Sequence, residues 1–196
     1  MRNNFGKFVP LTLVLLFSFG CVSLPPVNFS APNIGVSSTK LDAELKSLTV
    51  SVARPDEATG EIDPGIGVHA GLWKNALEEA FKRRAIFKDD SPKKISLAVK
   101  ILKLGVPRFG AGMTTHASAR YEIIDRSDGS IIFTTDISTS GEGPIKLDPF
   151  CDFSCAMGSR VVDGINRSVQ KNIIQFLQAL ETVDMDKPMF PSNKIN

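Results

Sequence analysis

The chain has 196 residues, 42% hydrophobic and 22% charged, with three cysteines. Its formal net charge of +2 comes wholly from Arg2 and Lys7: without them Lys plus Arg fall from 23 to 21 and equal the 21 Asp plus Glu. A neutral body has no long-range field to gather nucleic acid or anionic lipid, which sets nucleic-acid binding aside, and the length suits one core of ordinary size and not two.

Arg2 and Lys7 form a short basic head, an apolar run extends from Phe8 to Phe19, and Gly20-Cys21 closes it. Charged head, apolar middle and small closing residue are the layout of an export signal. The run is well short of the roughly 20 residues that a spanning helix needs. A cysteine directly after a small residue at the end of such a run resembles a bacterial lipoprotein signal. That resemblance implies removal of residues 1–20 and lipidation of Cys21. The usual pattern has Leu three positions before the cysteine and Ala or Ser next, where this chain has Ser18 and Phe19. An ordinary secretory signal cut nearby is the alternative.

Residues 21–46 hold Pro25, Pro26, Pro32 and the Ser37-Ser38-Thr39 run with little periodicity. They are expected to be a flexible tether, although Ile34, Val36 and Leu41 could pack. A single domain is expected over 47–184. Leu48 to Ala53 alternates apolar and polar residues and predicts a strand; the glycines and prolines from Asp56 to Gly67 predict a loop. Around Val68 to Arg84 the period becomes helical, with Leu72, Ala76, Leu77, Ala80 and Phe81 on one face. Lys82, Arg83 and Arg84 at its end suit the negative end of the helix dipole.

Lys94 to Leu104 predicts a second strand. Its apolar phase switches at residues 101–102, the mark of a bulge or of a second buried face. After a glycine-rich loop over 107–112, Thr114 to Asp125 alternates cleanly: Ala117, Ala119, Tyr121 and Ile123 face one way, and His116, Ser118, Arg120 and Glu122 the other. Asp125-Arg-Ser-Asp-Gly129 is a hairpin turn, and Ile131, Phe133 and Ile137 alternate with Thr134, Asp136 and Ser138 in the returning strand. A loop over 141–154 precedes the longest periodic run. Met157, Val161, Ile165, Val169, Ile173, Phe176 and Leu180 form an apolar stripe at spacings of four and three, which predicts an amphipathic helix of about 25–30 residues. Residues 185–196 are expected to be a disordered tail.

The order is β-α-β-β-β-α, an α+β fold. The expectation is a mixed or antiparallel sheet of about four strands with two helices on one face and the polar face of the hairpin left in solvent.

Few residues carry recognisable chemistry. His69 and His116 are the only histidines, and neither has the sequence context of a nucleophile–base pair. Cys151, Cys155 and two distant histidines lack the paired spacing of a zinc site, so no metal or cofactor is expected. With Cys21 lipidated, Cys151 and Cys155 remain as an even pair in an oxidising compartment. A disulfide between them is the leading expectation, with free thiols as the alternative. Asp56-Glu57 and Asp89-Asp90 lie in polar loops and read as solvated charge. Phe109-Gly-Ala-Gly112 lacks the Lys-Ser/Thr of a phosphate loop.

The signal ending in Gly20-Cys21, the element order, and the closing helix ending Asn172-Ile-Ile-Gln-Phe-Leu-Gln-Ala-Leu-Glu181 together resemble small envelope lipoproteins of Gram-negative bacteria. These include the lipopolysaccharide-assembly lipoprotein and the auxiliary lipoproteins of lipid-transport ABC systems. That resemblance implies a lipid-anchored, non-catalytic binding, assembly or transport-accessory factor on the periplasmic face of the outer membrane, with an envelope protein or lipid as partner. His116, Arg120, Glu122 and Asp136 are then the candidate contact residues. A small periplasmic hydrolase or acyltransferase with an unrecognised site is the alternative.

Overall fold

Among the described residues six elements follow one another: β1 (Glu44–Val52), α1 (Ile66–Arg84), β2 (Lys94–Gly105), β3 (Thr114–Asp125), β4 (Ile131–Glu142) and α2 (Phe153–Leu180). They are seen in a computed structural model that describes residues 25–62, 66–105, 113–144, 153–187 and 189. The sheet order is β1-β2-β3-β4. β1 runs parallel to β2, and the other two pairings are antiparallel, so the sheet is mixed. A parallel pair needs a crossover, and α1 supplies it. The expected fold class is the one observed.

The two faces of the sheet separate by strand alternation. Leu48, Leu97, Val99, Ala119, Tyr121, Ile123 and Ile137 face the helices and form one cluster with Trp73, Leu77 and Phe81 of α1 and Val169, Ile173, Phe176 and Leu177 of α2. The phase switch in β2 is a bulge: the register with β3 shifts between Ile101 and Lys103, which returns Leu104 to the core side opposite Ala117. The β3–β4 turn closes where it is expected. Gly129 has φ 75°, a left-handed conformation that glycine takes without steric cost. Asp125 Oδ1 accepts from Ser127 N at 2.8 Å and Asp128 Oδ1 from Ser130 N at 2.8 Å, the side-chain mimicry that makes Asp a turn residue.

The packing of α2 on β4 depends on the absence of side chains. A Cβ on Gly141 would stand 2.3 Å from Gly164 O, and one on Gly143 would stand 2.1 Å from Arg160 O. Backbone meets backbone here, so the strand extends to Glu142 instead of ending in the loop expected from residue 141.

The tether expected over 21–46 is corrected for residues 27–46, because this segment packs. Phe29, Ala31, Leu41 and Ala43 are all buried. The Phe29 ring lies against His69 and Trp73, with centroids at 5.9 and 6.1 Å. Around it the polar groups are matched. Asn28 N donates to Asn166 Oδ1 at 2.8 Å, Asn166 Nδ2 to Pro26 O at 3.2 Å, and Gln170 Nε2 to Asn28 O at 3.0 Å. Ser30 Oγ donates to Glu79 Oε2 at 2.6 Å, and Arg83 to Ala31 O at 3.2 Å. An aperiodic proline-rich segment is here a strap across both helices, and β1 begins at Glu44 where a start at Leu48 is expected. The tail is corrected in the same way over its described residues: Met185 is buried and Met189 N donates to Ile132 O at 3.0 Å.

Candidate functional surface

The open face of the sheet carries the predicted contact residues. Register places Ser51, Lys100, Arg120 and Asp136 in one row, with Thr49, Ala98, Glu122 and Thr134 in the next. Two cations, Lys100 and Arg120, are therefore directly opposite each other, an arrangement that destabilises a sheet unless it is compensated. Each has its own carboxylate. Arg120 Nε and Nη2 donate to Asp136 Oδ1 and Oδ2 at 2.7 and 2.8 Å, a two-pronged pair, and Lys100 Nζ donates to Glu57 Oε1 at 2.7 Å from the loop after β1.

The electrostatics follow that pairing. The Arg120 hydrogen bonds hold the Asp136 carboxyl below the ordinary value, and the same bonds raise Arg120. Glu57 is brought down to about 2, first by Lys100 and then by the backbone N–H of Arg54. Arg120, Glu122 and Asp136 line a shallow depression of 380 Å³ with Ile131, Thr134 and Thr135. His116 is exposed on the same strand but pairs with Gly105 and Ser140, toward the far end of the face, with Ser118 between it and Arg120. The structure thus brings three of the four predicted contact residues together and leaves His116 apart. A face of matched pairs can present shape and charge pattern to a partner, and the Asp136 and Glu57 carboxyls are held in their charged forms by their cations.

A second feature has no counterpart in the sequence analysis. β1 is an edge strand, and between it and the end of α1 lies a groove of 640 Å³. Leu45, Leu48, Phe81 and Phe87 line it, with Lys40, Lys46, Lys82 and Lys88 also on its walls. Lys46 occupies a register irregularity between Leu45 and Ser47. It pairs with Glu44, which Lys94 also holds, and these contacts lower the Glu44 carboxyl, Lys46 first. A lysine in a bulge is a common guard on an open strand edge. Lys46 is the one signal of this groove that a sequence contains.

The buried polar groups hold the layers together. Tyr121 Oη donates to Asn172 Oδ1 at 2.7 Å, and Asn172 Nδ2 donates to Ile137 O at 2.8 Å. Burial pushes the Tyr121 phenol well above its ordinary value, so it stays a neutral donor. Among the described residues no group of three or more His, Cys, Asp or Glu side chains could hold a metal ion, and no helix is long and apolar enough to cross a membrane. Cys21 and Cys151 lie outside the described residues; Cys155 is in the first turn of α2, half-buried.

No family model matches the chain, and no curated protein does. Solved structures with similar outlines include protein XCC0632 of Xanthomonas campestris, of family DUF330. It is 11% identical with a TM-score of 0.45, over 82% of this chain and 99% of that one. Protein CT253 of Chlamydia trachomatis is 8% identical with a TM-score of 0.46, over 71% and 96%. Lipoprotein GNA1162 of Neisseria meningitidis is 13% identical with a TM-score of 0.28, over 55% and 88%. At these identities the similarity is one of fold outline and assigns no role.

Proposed function

We propose that the protein is a lipid-anchored lipoprotein of the bacterial envelope that binds an envelope protein or lipid as an assembly or transport-accessory factor, without catalysing a reaction. The observation that carries this reading is the text from Met1 to Cys21: basic head, short apolar run, then Gly20-Cys21. A single acyl chain gives only marginal membrane binding, so stable anchoring implies more than one chain on Cys21, palmitate among them. Val22 and Ser23 after the cysteine, with no Asp beside it, favour the outer membrane by analogy with enteric lipoproteins. The binding role is supported by a sheet face of ion pairs left uncovered and by an edge strand beside a groove, the two surfaces through which sheets recognise partners.

The proposal includes a bridge between Cys151 and Cys155, the even pair left after lipidation. So short a ring stabilises by only about 2 kcal/mol in the chain-entropy model, and its role is to stiffen the entry to α2. Intact mass before and after reduction with alkylation measures it; two thiols that alkylate without reduction contradict it.

The anchor is tested by expressing the full chain and its Cys21→Ser variant. The native chain is expected to lose residues 1–20, gain acyl mass on Cys21 and fractionate with membranes, and the variant to lose all three properties. A variant that is still processed and membrane-bound contradicts the proposal.

A further inference from the structure

The strap over residues 26–31 changes what an anchor at Cys21 can do. On α2, residues Gly164, Ser168 and Asn172 meet the sheet through Gly141, Thr139 and Tyr121. Asn166 and Gln170, which bond the strap, each stand two residues further along, a rotation of about 200°. On α1 the strap bonds Glu79 and Arg83, both exposed. The strap therefore lies on the side of the helix layer turned away from the sheet.

Among the described residues the strap's first hydrogen bond to the body is at Pro26 O, five residues after Cys21. Fully extended, five residues reach no more than roughly 18 Å, whereas the expected tether of residues 21–46 would reach roughly 90 Å and leave the domain free to tumble. From the outer surface of the helices to the open sheet face the distance is about 20 Å, one helix diameter plus one sheet layer, and a chain going round the body has further to travel. The short leash does not let the open face lie on the bilayer.

We propose that the helix layer, under its strap, is the membrane-facing surface of the protein, and that the open sheet face with its Lys100–Glu57 and Arg120–Asp136 pairs is turned away from the bilayer toward a water-exposed partner. This rests on the lipid anchor at Cys21 proposed above and adds an orientation to it. The strap's contacts make the orientation a property of the folded body, because Phe29 is 2% exposed and packed against His69 and Trp73.

Energy transfer to the bilayer measures this. A genetically encoded fluorescent amino acid is placed in the full lipidated chain at Asn75, exposed on α1 one turn before Glu79, or at Thr49, exposed on the open face of β1. Each protein is reconstituted in phosphatidylethanolamine–phosphatidylglycerol vesicles containing headgroup-labelled acceptor lipid. Transfer from position 75 is expected to exceed transfer from position 49 several-fold. Inserting about 20 Gly/Ser residues between Leu24 and Pro25, a flexible coil, is expected to abolish the difference. Equal or reversed transfer in protein that floats with the vesicles overturns the orientation and leaves the anchor standing. Protein that does not float overturns the anchor, and the orientation with it.

Discussion

Arg120 and Tyr121 are adjacent in sequence and differ completely in their surroundings. Tyr121 is fully buried, its ring stacked on Phe176 at 3.9 Å and its hydroxyl bonded to Asn172. Arg120 is exposed and holds Asp136 across the hairpin. The same contrast separates the two faces across the middle of the sheet. One face is sealed by two helices and determines whether the chain folds; the other is held by ion pairs that solvent already screens. Substitutions on the covered face should therefore change stability, and substitutions on the open face should change recognition with little effect on stability.

The largest expected effect is on the covered face. Phe176→Ala removes a ring that stacks on Tyr121 and meets Phe81 edge-on at 6.3 Å. Large-to-small changes of this kind cost about 3–5 kcal/mol. At about 2–4 °C per kcal/mol for a domain of this size, calorimetry should show melting lowered on the order of 10 °C. Next comes the glycine contact. Gly143→Ala drives a methyl into the Arg160 carbonyl, and overpacking costs about 1–3 kcal/mol. Gly35→Ala, with nothing within 4 Å of the added Cβ, should leave melting unchanged and serves as its control. Tyr121→Phe keeps the stacked ring and deletes only the donor to Asn172 Oδ1, so denaturant titration should show a loss of about 1–3 kcal/mol for a buried acceptor left without its partner.

The smallest stability effects belong to the open face. Arg120→Ala should cost less than about 1 kcal/mol, because exposed pairs contribute little. The pH dependence has a definite sign. Glu57 is depressed from 4.5 to about 2, so its contribution is present above its unfolded value and is lost as pH falls through the folded one. Acid titration of stability between about pH 4.5 and 2 should be shallower in Glu57→Gln than in the native chain; identical curves would contradict the Lys100 pairing.

The contrast between the faces was legible in the sequence wherever alternation was clean. Ala117, Ala119, Tyr121 and Ile123 against His116, Arg120 and Glu122 marks both faces of β3 before any coordinates, and the stripe from Val161 to Leu180 marks the closing helix. What was not legible depends on contacts between segments distant in the chain. The strap has no period, and its hold comes from one aromatic side chain, Phe29, and from hydrogen bonds to residues 49–142 positions away. Prolines there read as a tether because local propensity cannot report a docking site. β4 continues past residue 140 through Gly141, a weak strand former, because α2 needs the close approach that only glycine permits. The groove beside β1 joins residues 40–48 to residues 78–89, and Lys46 alone hinted at a bulge. Of the candidate contact residues, Arg120, Glu122 and Asp136 were placed on one face by alternation; the neighbouring Lys100–Glu57 pair was missed because a loop brings Glu57 onto that face.

The division between a face that stabilises and a face that recognises is tested most directly by exchanging the charges of one open-face pair. The double variant Arg120→Glu, Asp136→Lys keeps opposite charges across β3 and β4 and reverses the pattern that a partner meets. Melting is measured on the purified domain, and partner engagement by photo-crosslinking from a reactive residue at Thr134 in intact envelopes. Unchanged melting with loss of the specific crosslinked adduct is the predicted result. Unchanged melting with the same adduct in full yield would contradict it and make the open face ordinary surface.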